Sequence, residues 1–134
     1  MEHFLVKKTQ ELLLPEARAL DNTGGLTPLG ERYANDPVAF GVEVLGEHFT
    51  PDIVRVLESV RDNAVTVAKS ANATGKTHGA ARVAVWFYKC YRGAKVYTTA
   101  APPFKNLKDL LWGEIGAVID NRPALFQEDR ITSL

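Results

Sequence analysis

The sequence has 134 residues, enough for one modest hydrophobic core and too few for two ordinary domains. Sixteen basic residues balance sixteen acidic ones, so the overall charge provides no general attraction to nucleic acid. The single cysteine, Cys90, excludes an intrachain disulfide, and no apolar run reaches the ~18 residues of a membrane span.

The first 34 residues are predicted to form an arm outside the core. Residues 1–20 are predicted to be helical because three leucines precede Pro15. Residues 21–30 are rich in glycine, proline and asparagine, which predicts a loop. The folded part is therefore expected to span residues 35–134.

Two helices are predicted at the start of this folded part. Asn35-Asp36-Pro37 and Thr50-Pro51-Asp52 each place a capping side chain before a proline, which is typical of a helix start. The second helix has an apolar face at helical spacing, formed by Ile53, Val56, Leu57 and Val60. The β-branched stretch that follows predicts a strand over Val65–Lys69.

The next segment resembles a phosphate-binding loop ending in Gly-Lys-Thr. Its candidate nucleotide-binding residues are Ser70, Ala71, Asn72, Ala73, Thr74, Gly75, Lys76 and Thr77. In such a loop the backbone N–H groups surround the phosphates, the lysine contacts the γ-phosphate and the threonine hydroxyl holds Mg²⁺. ATP and Mg²⁺ are the predicted cofactors. Ser70 occupies the position of the first glycine, and a plain polar turn before a helix is the simpler alternative.

A helix is predicted over Gly79–Tyr91, with a small apolar stripe for packing against a sheet and another face shared by His78, Arg82 and Lys89. A second strand is predicted over Val96–Thr99 and a third helix from Phe104 to about Asn121. A strand, loop, helix and strand in this order predict two parallel strands. The predicted fold class is α/β, a P-loop NTPase-like three-layer fold with an incomplete parallel sheet flanked by helices.

Hydrolysis requires an acidic residue at the end of a further strand. Asp120 follows three apolar residues, but these continue the stripe of the third helix, so Asp120 is predicted to end that helix. The acidic Walker B strand is expected to follow residue 134. Residues 35–134 are accordingly predicted to be the front portion of an ATPase domain that hydrolyses ATP slowly or not at all.

Three blocks in this order resemble the large subunits of phage terminases. The first block is residues 49–57, from Phe49 to Leu57, and the second is the variant phosphate loop from Ser70 to Thr77. The third is residues 96–104, followed by Leu107 and Leu110-Leu111-Trp112-Gly113-Glu114-Ile115. The resemblance covers about residues 37–119. Phe49 and Asp52 match the adenine-side segment, where Asp52 replaces a common glutamine.

This resemblance implies the motor ATPase of viral DNA packaging, which also has a nuclease domain. Double-stranded DNA, a portal, a small terminase subunit and further copies in a ring are then the expected partners. The host cytoplasm, at the procapsid, is the expected location, with no role for a membrane.

Two other functions fit the same residues. A superfamily 2 helicase-like ATPase also has a strand, a proline turn and a helix after its phosphate loop. A nucleotide-binding or assembly module without hydrolysis belongs to a different class. For single residues, Phe49 and Trp112 could be core aromatics, Asp52 an acid of the first helical turn, and Lys105, Lys108 and Arg122 a solvated face.

Overall fold

The computed structural model describes residues 2–7, 25–70, 73–98, 105 and 107–127. Most of these residues are helical. The elements are β1 (Glu2–Lys7), α1 (Pro28–Tyr33), α2 (Pro37–Ala39) with a π-helical turn (Phe40–Val44), α3 (Pro51–Asp62), β2 (Val65–Ser70), α4 (Ala73–Cys90), a π-helical segment (Leu107–Trp112), α5 (Gly113–Asn121) and a 3₁₀ turn (Pro123–Phe126).

Side-chain caps start the short helices. The Asp36 carboxylate accepts a hydrogen bond from the backbone N–H of Ala39 at 2.9 Å, and the Thr50 hydroxyl accepts one from Ile53 at 3.4 Å. Each cap satisfies one backbone donor of the first helical turn. Both predicted helix starts are confirmed.

The chain reverses sharply after the π-helical turn. Gly46 has φ +73°, a left-handed conformation that a residue with a side chain rarely adopts. The reversal lets the backbone N–H of Glu47 donate to the carbonyl of Gly41 at 2.9 Å. Residues 47–49 are thereby held beside α2.

The hydrophobic core is built around the C-terminal half of α4. The largest fully buried side chains come from α2, the π-helical turn after it, α3 and α4: Pro37, Phe40, Leu57, Val60, Trp86 and Cys90. The indole Nε1 of Trp86 donates to the backbone carbonyl of Tyr33 at 2.8 Å, so its one polar atom is satisfied inside the core. Leu29 and Tyr33 of α1 also pack against this core.

A two-stranded antiparallel sheet joins the start of the chain to the strand before the candidate phosphate loop. Glu2 is opposite Ser70 and Lys7 is opposite Val65. Residues 2–7 are therefore extended, and the helix predicted over residues 1–20 is wrong for this segment. The strand over Val65–Lys69 is confirmed, with Ser70 as its last residue.

The predicted α/β three-layer fold with a parallel sheet is wrong. Within the described ranges the only strand pair is antiparallel, and residues 95–98 are irregular. Parallel strands are normally covered on both faces. By contrast, Val67 of β2 is 64% exposed and Tyr97 is 75% exposed, while Thr66 is buried. β2 therefore has one covered face, as an antiparallel strand commonly does.

The loop predicted over residues 21–30 is wrong from Pro28 onward, where α1 begins, and the later helices differ mainly in their boundaries. α3 has the expected buried face, and α4 begins at Ala73 rather than at Gly79. α5 ends at Asn121 before the predicted stop at Pro123. Thr99 and Phe104 lie outside the described residues.

Gly30 provides a test of the contact between α1 and the end of α4. A Cβ atom at Gly30 would overlap the carbonyl oxygen of Cys90, whereas a Cβ at Gly116 of α5 would meet open space. Gly30→Ala is expected to lower the free energy of unfolding by about 1–3 kcal/mol through overpacking. Gly116→Ala should raise it by about 0.5–1 kcal/mol. Urea unfolding of both variants checks this, and equal midpoints would contradict the described contact.

Candidate functional site

The candidate phosphate loop lies between β2 and α4. Ser70 ends the strand and Ala73 begins the helix, while Ala71 and Asn72 lie outside the described residues. Ala73 and Thr74 form the start of the helix backbone, and Gly75, Lys76 and Thr77 follow as half-buried residues of its first turns. The predicted order of strand and helix is confirmed, but the predicted loop over Ser70–Thr77 is wrong for its second half, because residues 73–77 are already helical.

This arrangement suits an anion because of the backbone of α4. The first N–H groups of a helix point toward its N-terminal end, and the aligned peptide dipoles add a partial positive charge there. α4 has 18 residues and is therefore long enough to develop this dipole. Lys76 adds a full positive charge, and Thr77 adds a hydroxyl oxygen that can bind a cation.

The two residues of the predicted adenine-side segment have different surroundings. The Phe49 ring lies edge-on to the His78 imidazole, with 6.4 Å between the ring centroids, and it also packs beside Gly41 and against the hydrophobic core. Phe49 is therefore close to the residue that follows Thr77. Asp52 is exposed, lies in the first turn of α3 and pairs with Arg55 of the same helix at 2.6 Å.

A buried ion-pair cluster lies beside this end of α4. The Arg82 side chain is only 7% exposed. Its Nη2 and Nε donate to Oε1 of Glu47 at 2.8 and 3.1 Å, and its Nη1 donates to Oε2 of Glu114 at 2.6 Å. One guanidinium thus bridges two carboxylates from different parts of the fold.

His78 completes the Arg82 cluster, which we define as Glu47, His78, Arg82 and Glu114. Its Nε2 lies 3.6 Å from Oε2 of Glu47, and its Nδ1 lies 3.9 Å from Oε2 of Glu114. These distances exceed those of direct hydrogen bonds. The imidazole therefore lies between two carboxylates that already share Arg82.

Arg82 is buried although it lies on the polar face of α4. Helical spacing placed it on one side with His78 and Lys89, but Glu47 and Glu114 cover that side and bury it. A signal was present in the sequence: Arg82 is the only charged residue between Gly79 and Tyr88, and a lone charge in an apolar helical run is normally paired. The partners are 35 and 32 residues away and could not be identified from spacing.

Asp120 and Cys90, the other residues considered for chemistry, have positions that serve the fold. Asp120 lies near the end of α5, as predicted, rather than on a strand. Cys90 is fully buried, and this burial raises the pKa of its thiol to about 12, so the reactive thiolate is not formed near neutral pH.

Among the described residues, no group of three or more His, Cys, Asp and Glu side chains is placed to hold a metal ion. None of the helices described is both long and apolar enough to cross a membrane.

Comparison with protein-family models, curated proteins and solved structures finds no match.

Proposed function

We propose that this chain binds the triphosphate of ATP, with Mg²⁺, at the turn between β2 and α4. The observation that carries the proposal is the order of the backbone: a strand ends at Ser70, a helix begins at Ala73, and Lys76 and Thr77 lie in its first turns. The proposal does not require a parallel sheet, because the anion contacts come from the helix end and its side chains.

Each residue has a distinct role in this proposal. The backbone at the start of α4 faces the phosphates, and the Lys76 ammonium contacts the γ-phosphate as a point charge. The Thr77 hydroxyl supplies one oxygen ligand to Mg²⁺. A single protein oxygen fits this ion, which usually keeps several waters and takes its other ligands from the phosphates.

The wider proposal is that this chain is the ATP-binding part of a terminase-type DNA-packaging motor. Its support is the resemblance of the three sequence blocks, together with contacts that join them. Phe49 of the first block and Glu114 of the third both contact the half of α4 that follows the phosphate loop. A ring of copies that moves double-stranded DNA through a portal into a procapsid, with a small terminase subunit, in the host cytoplasm, would be its setting.

A nucleotide-binding module that does not hydrolyse ATP is the second candidate. Asp120 lies on a helix, and the carboxylates of Glu47 and Glu114 are both paired with Arg82. A hydrolytic site needs a carboxylate able to orient water and a further cation at the γ-phosphate. This observation favours binding without rapid turnover.

Calorimetry and phosphate release test both candidates on the same protein. We expect residues 1–134 to bind MgATP and to release phosphate far more slowly than the ~1 s⁻¹ at the low end of typical enzyme rates. The absence of a single arginine finger already costs ~10³ to 10⁵ in rate. Lack of MgATP binding would overturn the proposed function, and turnover near 1 s⁻¹ would instead reject the non-hydrolysing module.

A further inference from the structure

The two halves of α4 are held in different ways. The C-terminal half is anchored in the hydrophobic core by Trp86 and Cys90, which are almost completely buried. Its last turn is also tied to the segment before α1, because the backbone N–H of Thr27 donates to the carbonyl of Cys90 at 3.0 Å. These contacts fix the end of α4 that is remote from the candidate phosphate site.

Residues 75–78, in the first turns of α4, are less buried than Ala80 and Ala81, which belong to the core. Residues 75–78 are half-buried, and a Cβ added at Gly79 would meet only the Ile53 side chain at 3.8 Å. The Arg82 cluster supplies polar contacts at this level. The Nη1 of Arg82 lies 3.5 Å from the carbonyl oxygen of His78, so the guanidinium reaches back toward the helix start. With a rise of ~1.5 Å per residue, the Cα atoms of His78 and Lys76 are about 3 Å apart along the helix axis.

The backbone that carries each of the two carboxylates is fixed by contacts of its own. Glu47 follows the Gly46 turn, and its own N–H donates to Gly41. Glu114 is in the first turn of α5, whose Ile115 and Val118 are buried in the structure. Arg82 therefore connects α4 to two other segments, the turn that carries Glu47 and the start of α5 that carries Glu114.

We infer that Arg82 is a positioning residue for the candidate phosphate site: by bridging Glu47 and Glu114, it holds the first turns of α4 in place for nucleotide binding. The inference rests on the proposed function for its nucleotide part, but the ordering of α4 can be measured without a ligand. Arg82 acts through protein side chains in this account. Its effect on affinity is therefore an effect on geometry.

The test uses the triple variant Arg82→Met, Glu47→Gln and Glu114→Gln. It removes the charges of the guanidinium and of both carboxylates at once. Replacing a whole buried ion cluster is commonly tolerated, whereas removing one partner is not. We expect this triple variant to fold with a thermal midpoint close to that of the wild type. We also expect the backbone amides of residues 75–80 to exchange with solvent at least tenfold faster, with residues 83–90 unchanged.

MgATP affinity is the second measurement, and the triple variant should bind at least tenfold more weakly than the wild type. A matched control neutralises an exposed pair, Asp109→Asn with Lys105→Met, and should change neither exchange nor affinity. A purely structural role would couple lost affinity to lost stability, whereas a positioning role predicts lost affinity with stability retained.

The outcomes separate this inference from the proposed function. Unchanged exchange at residues 75–80 in the folded triple variant overturns the inference, and so does unchanged affinity. If the wild type does not bind MgATP, the proposed function fails and the nucleotide part of the inference fails with it. Amide exchange still decides whether Arg82 orders the start of α4.

Discussion

Arg82→Met alone is expected to lower the free energy of unfolding by about 3 kcal/mol. Removing one partner of a buried ion pair usually costs about 3–5 kcal/mol, because the remaining charge is left without compensation. Here two carboxylates would lose their shared guanidinium. The lower end of the range applies because the Glu114 side chain is 35% exposed and can be hydrated in part.

Chemical denaturation measures this loss, and the chain offers a matched control. Arg55 also pairs with a carboxylate, that of Asp52, but its side chain is 76% exposed. Arg55→Met should therefore cost less than about 1 kcal/mol. Similar losses in the free energy of unfolding for the two arginine variants would show that the buried ion pairs of Arg82 contribute no more to stability than an exposed pair.

Lys76→Ala is expected to weaken MgATP binding about 10- to 150-fold. A hydrogen bond to a charged group contributes about 1.5–3 kcal/mol, which corresponds to that range in the dissociation constant. The fold should keep its stability, since Lys76 is in the first turns of α4 and away from the buried Trp86 and Cys90. Calorimetry with the wild type and the variant measures the change.

Lys95→Ala is the control for Lys76→Ala. Lys95 is exposed and follows the C-terminal end of α4, so its loss removes the same charge from the opposite end of the helix. Its affinity for MgATP should remain within a factor of two or so of the wild type, because exposed charges at long range are screened by salt. Equal weakening by both variants would indicate general electrostatic attraction rather than contact by Lys76.

Local signals in the sequence were sufficient for several elements. The Asp36 and Thr50 caps, the apolar face of α3, the strand before the phosphate loop and the helix after it were all predicted correctly in kind. These features depend on residues within a few positions of one another. Capping bonds, helical periodicity and β-branched runs are therefore readable without knowledge of the rest of the chain.

Long-range pairing determined the rest of the fold and of the candidate site. β2 pairs with residues 2–7 rather than with 96–99, and Arg82 is buried because Glu47 and Glu114 approach it from elsewhere in the chain. A strand segment and a charged helical residue each have many possible partners, and the choice depends on which surfaces the whole chain can bury. Sequence spacing predicts the candidate phosphate loop, but the contacts that hold the helix after it arise only from the tertiary structure.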